Sequence, residues 1–331
     1  MKNKKPIIIV LGEPNSIFTE ILCKVLNKQS IKKRVKFPII LIGSERLIIS
    51  QLKILKKKLS YELLDLNLED LSNKNFLSRV YLIDVDYNFK KPFELISGKS
   101  KKYISNCFKY GVHLLNKGIS DVIVNGPISK RFFLDKKYPG ITEYIFHKSN
   151  KKISKNPVML LFNNNLSVSP ITTHIPLKNV SKKINKKVIY NNVLTINNFY
   201  KNFLKIKPKI AILGLNPHCE TKSSFNEELK IIIPAIKNLK KEKININGPF
   251  PADTFFLKEN LYKFNSIIGM YHDQILTPFK TLYGFNASNI TLGLPFLRLS
   301  VDHGPNQSMM GKNKSNPQSL ENIFNFIISI K

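Results

Sequence analysis

The sequence predicts an α/β protein whose largely parallel sheet is covered by helices on both faces, and three observations carry that prediction. Short β-branched runs recur along the chain, separated by longer stretches in which apolar residues repeat with helical spacing. The runs are continuously apolar rather than alternating, as strands buried on both faces must be. The length, 331 residues with 43% hydrophobic, exceeds what one small core needs, so one large unit or two lobes are expected.

Taken in order, residues 7–11 form a strand, because the run Ile7-Ile8-Ile9-Val10-Leu11 has no Gly or Pro and is too short for a helix. A helix follows at 16–27, then a strand at 39–42 and a helix starting near Ser44. Residues 81–85 and 122–124 are buried strands, with a helix over 103–115 between them. Val158–Phe162, Ile210–Leu213 and residues 267–270 repeat the strand pattern. Helices fill 188–203 and 227–239, and the last covers 317–330, with Pro317 where a first turn accepts proline. No fixed-period repeat and no Pro/Gly/Ser linker interrupts the chain. In such a fold, functional groups belong just after the carboxyl ends of strands.

The charge is lopsided, with 53 Lys+Arg against 22 Asp+Glu and a formal net of +31. That balance raises nucleic-acid binding as a competing class, since basic side chains neutralise phosphates. Here the basic residues are mostly Lys, scattered as Lys32-Lys33-Arg34, Lys56-Lys57-Lys58, Lys182-Lys183 and Lys240-Lys241, and no nucleic-acid-binding signature accompanies them. The chain is also rich in Ile and Asn, so the charge reads as compositional drift on solvated faces that still attracts anionic substrates. Cys23, Cys107 and Cys219 form no CxxC pair and no disulfide framework, which suits a reducing cytoplasm. The first apolar run is too short for a signal segment or a membrane span, so a soluble protein without membrane partners is expected.

Three of the six histidines lie in polar turns that follow apolar strands: Thr173-His174-Ile175-Pro176, Asn216-Pro217-His218 and Tyr271-His272-Asp273-Gln274. Three imidazoles gathered at strand ends would bind a catalytic divalent cation; singly, each is as well explained by a loop hydrogen bond. His113 and His147 fit structural or exposed positions, whereas His303 fits a substrate-pocket and a structural role equally. Downstream of His272, Lys280, Asn289 and Arg298 can hold a phosphate or carboxylate around the loop-rich segment 291–296. Arg298 is the most informative, because a Lys-preferring chain keeps an Arg in an apolar setting. No Gly-x-Gly occurs, so the dinucleotide fingerprint is absent and the residues alone do not specify NAD.

Read together, the segments Asn125-Gly126-Pro127-Ile128-Ser129-Lys130, Gly140-Ile141-Thr142-Glu143, Thr172-Thr173-His174-Ile175-Pro176-Leu177 and Gly214-Leu215-Asn216-Pro217-His218 form an ordered set. Gly248-Pro249, Ala252-Asp253-Thr254 and the block from Met270 to Gly304 complete it. The chain resembles the 4-hydroxythreonine-4-phosphate dehydrogenase family of pyridoxal 5′-phosphate (vitamin B6) biosynthesis over almost its whole length. The resemblance implies a two-lobed α/β/α subunit related to the isocitrate dehydrogenase-like fold, with the active site in the interlobe cleft of a homodimer. Expected lobes are residues 1–130 with 275–331, and 131–274.

By motif, His174, His218 and His272 would bind the metal, with ligands shared between subunits; zinc suits them, and magnesium, manganese or cobalt can substitute. Thr142, Lys280, Asn289 and Arg298 would bind the phosphorylated substrate. Lys280, Asp273 and Asp253 are the catalytic candidates, the carboxylates handling protons or supporting the histidines, with the general base left open. The family oxidises 4-phosphohydroxy-L-threonine with NAD or NADP to 2-amino-3-oxo-4-phosphooxybutanoate, which loses carbon dioxide to give 3-amino-2-oxopropyl phosphate.

The chain departs from the family pattern at several points. Ile141 stands where the family has a substrate-contacting His, a change that costs about 1–3 kcal/mol if a substrate group is left unpaired. The opening motif Gly12-Glu13-Pro14-Asn15-Ser16-Ile17 lacks the family's Asp and its later glycines. Cys219-Glu220-Thr221-Lys222 replaces a Gly-rich stretch, and Pro305 replaces a Thr. These changes keep two alternatives open: a sister dehydrogenase of a phosphorylated threonate or erythronate, and a homologue that binds metal or phospholigand without turnover.

Overall fold

Buried apolar runs set the architecture, and the structure, a computed structural model, describes residues 4–65, 71, 74–134, 138, 140–149, 156–163, 166–220, 226–284 and 286–331. In chain order the strands are β1 (Ile7–Val10), β2 (Ile39–Gly43), β3 (Glu62–Leu64), β4 (Val80–Asp84), β5 (Val122–Asn125) and β6 (Val158–Phe162). They continue as β7 (Ser167–Thr172), β8 (Ile210–Leu213), β9 (Ile246–Phe250), β10 (Ser266–Tyr271), β11 (Ser288–Leu292) and β12 (Leu297–Ser300). The longer helices are α1 (Phe18–Asn27), α2 (Glu45–Ile54), α3 (Lys101–Asn116), α4 (Ile141–Lys148), α5 (Lys186–Phe199), α6 (Ile233–Lys241), α7 (His272–Tyr283) and α8 (Gln318–Ile330).

The chain divides into two compact units, Met1–Ile153 with Leu294–Lys331, and Ser154–Gly293. The sequence-based expectation sets the divisions at 130 and 275 instead. Helix α4 belongs with the first unit because Tyr144 packs edge-on to Phe108 of α3, 5.8 Å between centroids. Helix α7 belongs with the second, where Ile275, Leu276 and Phe279 join the core formed by Val168, Ala211, Leu213 and Ile267.

In the first unit the strand order is β3-β4-β2-β1-β5-β12, and each pairing is parallel. Ile7, Ile8, Ile9 and Val10 are 0% exposed, as the unbroken apolar run requires of a central strand. Each such side chain contributes about 1.5–3 kcal/mol by leaving water. Helix α1 starts at Phe18, two residues later than expected. Ser16 instead folds back on the preceding turn, its Oγ donating to Glu13 O at 2.7 Å and accepting from Phe18 N at 3.2 Å.

The second unit runs β11-β6-β7-β10-β8-β9. Its β7, β10, β8 and β9 are parallel neighbours, whereas β6 pairs antiparallel to both β7 and β11. The expectation of a largely parallel sheet therefore holds in the first unit and is corrected to a mixed sheet in the second. Helix α5 begins at Lys186, because Asn185 Oδ1 accepts from Val188 N at 3.0 Å. It runs into a π-helical turn, Tyr200–Leu204, and a second such turn, Glu228–Ile232, precedes α6. Pro234, which has no N–H to return, marks that second change of pitch.

Candidate active site

The carboxyl ends of β7, β10, β8 and β9 stand in a row, since these strands are parallel neighbours in that order. The histidines and one of the acids singled out from the sequence lie just past them. His174 lies two residues after β7, His272 is the first residue after β10, His218 follows β8, and Asp253 follows β9. The rings of His174 and His272 are 6.0 Å apart, tilted by 39°. Asp273 Oδ1 lies 2.6 Å from His272 Nδ1, and Asp253 Oδ2 lies 3.5 Å from His218 Nδ1. Both acids are exposed, so these contacts orient imidazoles more than they stabilise the fold.

Neighbouring polar side chains hold this edge together. Thr172 Oγ1 donates to Met270 O at 2.8 Å, fastening the end of β7 to that of β10. Gln274 spans the next gap, accepting from Met270 N at 2.7 Å and donating to Gly214 O at 2.8 Å. Glu228 fixes the turn before His218: its Oε1 accepts from Leu215 N at 2.7 Å and Asn216 N at 2.9 Å, and Oε2 accepts from Asn216 Nδ2 at 2.8 Å. Burial pushes that carboxyl up, yet the bonds from Asn216 and the backbone win and hold it below the usual range. His218 and Cys219 both adopt the left-handed region (φ 55° and 60°), a conformation that side chains keep only when their surroundings enforce it. Gln274 and Glu228 were not singled out from sequence; a Gln two residues after a strand-end His is the one signal that could have found the first.

The donor chemistry of three imidazoles suits a divalent cation, and the His174–His272 separation brings two rings within reach of one ion. Among the described residues no three His, Cys, Asp or Glu form a group able to hold a metal. Thr221 and Lys222, part of the altered stretch after His218, lie outside the described residues.

In the first unit, Arg298 lies within β12 and is 1% exposed. Its Nε donates to Asn125 Oδ1 at 2.8 Å, and a terminal nitrogen donates to Thr142 Oγ1 at 3.1 Å. Burial pulls the guanidinium down to about 10, with nearby Glu143 opposing, so it stays charged at neutral pH. A guanidinium fixed by Asn125 and Thr142 has the donor chemistry that suits a phosphate or carboxylate.

Thr142 reaches Arg298 because it opens α4, whose first residue, Ile141, packs against the core of the first unit. Lys280 and Asn289 belong to the second unit. Lys280 is exposed in the last turn of α7, and Asn289 is half-buried in β11, its buried Oδ1 without a hydrogen bond among the described residues. The segment 291–296, read as loop-rich, is the end of β11 followed by a short bend, with Arg298 in the next strand. His113 and His147 sit in the last turns of α3 and α4. His303 contacts Gly304 O through Nδ1 at 2.9 Å, and its buried Nε2 has no hydrogen bond among the described residues.

Comparison with known proteins gives a consistent result. The family model described as Pyridoxal phosphate biosynthetic protein PdxA matches residues 36–327. A 4-hydroxythreonine-4-phosphate dehydrogenase of Sulfurihydrogenibium sp. (strain YO3AOP1) is 38% identical, covering 98% of this chain and 97% of its own. One from Aquifex aeolicus is 35% identical over 96% and 95%. The crystal structure of a 4-hydroxythreonine-4-phosphate dehydrogenase from Burkholderia phymatum superposes with a TM-score of 0.78 at 26% identity, covering 98% of both chains.

Proposed function

The chain belongs to the PdxA family of pyridoxal phosphate biosynthetic proteins, and from that membership we propose that it oxidises 4-phosphohydroxy-L-threonine with NAD or NADP. The observation that carries the reading is Arg298, a buried and charged guanidinium braced by Asn125 at the end of β5 and by Thr142 in the first turn of α4. A guanidinium held with its fork fixed in this way is suited to bind a phosphate or carboxylate.

In this reading Arg298 and Thr142 bind the anionic end of the substrate, with Lys280 and Asn289 as further contacts. Anchoring a remote charged group converts binding energy into alignment of the reacting carbon. C3 loses a hydride to the nicotinamide and its hydroxyl loses a proton to a base, leaving a C3 carbonyl. The product is 2-amino-3-oxo-4-phosphooxybutanoate, a β-keto acid that releases carbon dioxide to give 3-amino-2-oxopropyl phosphate. Asp273 at His272 and Asp253 at His218 orient those rings and are the proton-handling candidates, and Lys280 is the third catalytic candidate. His174, His218 and His272 would hold a divalent cation (zinc, magnesium, manganese or cobalt) that polarises the hydroxyl. A second copy of the chain would complete the ligand set in a homodimer.

No helix among the described residues is long and apolar enough to cross a membrane. Cys23, Cys107 and Cys219 are free, which supports a reducing, cytoplasmic setting. A second reading is favoured by Ile141, which presents an apolar side chain where the family pattern has an imidazole: a phosphorylated threonate or erythronate as substrate. A panel of the three phosphorylated substrates, with kcat/KM measured for each, tests the proposal. The account predicts the highest value for 4-phosphohydroxy-L-threonine; a higher value for either sugar acid moves the assignment to the sister activity.

A further inference from the structure

Glu13 follows β1 in the altered opening motif and is only 2% exposed. Its hydrogen-bond partners among the described residues are neutral: Asn15 N at 3.3 Å from Oε1 and Ser100 Oγ at 3.1 Å from Oε2. Ser100 Oγ also lies 3.1 Å from Ser97 O. The serine hydroxyl thus meets two acceptors with one proton to give. Both contacts are satisfied when Glu13 itself carries a proton, donates it to Ser100 Oγ, and leaves the serine O–H for Ser97 O. An ionised Glu13 would leave one of these oxygen pairs without a hydrogen between them. Burial acts in the same direction, raising the carboxyl from the ordinary 4.5 to about 7 against the Asn15 and Ser100 bonds.

Three strand-end segments meet at this residue. Glu13 N donates to Pro127 O at 2.8 Å, two residues from the Asn125 that braces Arg298. Asn15 Oδ1 accepts from Glu94 N at 2.8 Å, and Gln51 Nε2 donates to Pro14 O at 2.8 Å and Pro92 O at 2.9 Å. Ser100 leads directly into α3. The segment held in this way, together with α3, walls a cavity of about 810 Å³ bounded by Tyr87, Glu94, Lys99 and Lys102.

We propose that Glu13 is kept as a neutral carboxylic acid and acts as a positioning residue, its proton clasping the loop after β1 to the segment after β4, while its backbone N–H ties both to the loop after β5. The clasp does not rest on the reading of Arg298 as the substrate's anion site. The ionisable groups around it are few. The segment after β4 brings Tyr87 and Glu94, and Tyr103 of α3 stacks behind Tyr87 at 4.9 Å. Arg46 of α2 donates to Tyr87 O at 3.2 Å, while α1 contributes Glu20, bonded to Lys24 at 2.7 Å. Lys99 and Lys101 flank Ser100 and are exposed, and the loop after β5 presents Pro127 O. The positive end of α3 favours a carboxylate at this place, and burial outweighs it.

The test compares the full chain with Glu13→Gln, whose amide copies the neutral acid by donating to Ser100 and accepting from Asn15 N but cannot titrate. Thermal midpoints of both are followed from about pH 5 to pH 8.5. A folded-state value raised above the unfolded one contributes stability that is full below the unfolded value and is lost as pH rises through the folded value. The expected result is near-equal midpoints at the acid end and a wild type several degrees below the variant at the alkaline end. A difference that stays constant across the range, or widens toward acid, overturns the proposal. Neither substrate nor cofactor is present, so the outcome is independent of the proposed reaction.

Discussion

Arg298 Nε donates to Asn125 Oδ1 at 2.8 Å, joining a fully buried cation on one strand to a neutral amide at the end of the neighbouring strand. Asn125 is fixed in turn, its Nδ2 donating to Gly126 O at 2.8 Å. The guanidinium is therefore aimed before any ligand arrives, and the cost of ordering it has already been met in folding.

Arg298→Lys keeps the charge but cannot make both the Asn125 and Thr142 bonds, so its KM for the phosphorylated substrate should rise about tenfold or more, near 1.4 kcal/mol. Arg298→Met removes the charge and leaves Asn125 Oδ1 without its donor. Steady-state kinetics should then show kcat/KM falling well beyond the lysine variant, and urea unfolding should report a loss of about 1–3 kcal/mol.

Glu228→Gln replaces a carboxylate that accepts from two backbone amides and one side chain. At neutral pH the variant should lose about 1–3 kcal/mol. The carboxyl is held below its ordinary range, so its contribution is present above the unfolded value and disappears as pH falls through the folded one. The stability gap between wild type and variant should close on acidification. Denaturant titrations at neutral and acid pH check this; a gap that widens toward acid contradicts the sign.

Removal of divalent metal should abolish turnover, and zinc, magnesium, manganese or cobalt should restore it. His174→Ala and His272→Ala should each lower kcat by about a hundredfold or more without unfolding the protein, since both rings lie outside the core. Activity with and without a chelator, beside circular dichroism of each variant, separates loss of the site from loss of the fold.

Gly126→Ala should destabilise the first unit. A Cβ there would lie 2.3 Å from Leu11 O and 2.7 Å from the Phe18 ring, and the backbone oxygen cannot swing aside. Overpacking of this kind costs about 1–3 kcal/mol, visible as a lowered thermal midpoint.

Much of this fold is legible in the sequence because buried strands leave unbroken apolar runs: β6 and β8 match the expected ranges residue for residue. The strands that escaped notice carry polar or turn-forming residues for reasons that only packing reveals. In β7, Ser167 is wholly buried because its hydroxyl meets Tyr200 and Ser266 at 2.8 and 2.9 Å. In β9, Gly248 adopts a φ of 134°, where a side chain would lie 2.3 Å from Ile212 O, so a Gly-Pro pair that reads as a turn sits inside a strand. The strand-end histidines were legible from their setting. Gln274 and Glu228 were not, because what they do is tie down the turn between β8 and His218, a contact that only folding brings about.

The most direct test is production of NADH or NADPH from 4-phosphohydroxy-L-threonine by the purified chain supplied with divalent metal, beside its Arg298→Met variant. The account predicts metal-dependent reduction of the nicotinamide by the wild type, with most of it lost in the variant. A folded, metal-loaded wild type that reduces neither nucleotide with this substrate would contradict it.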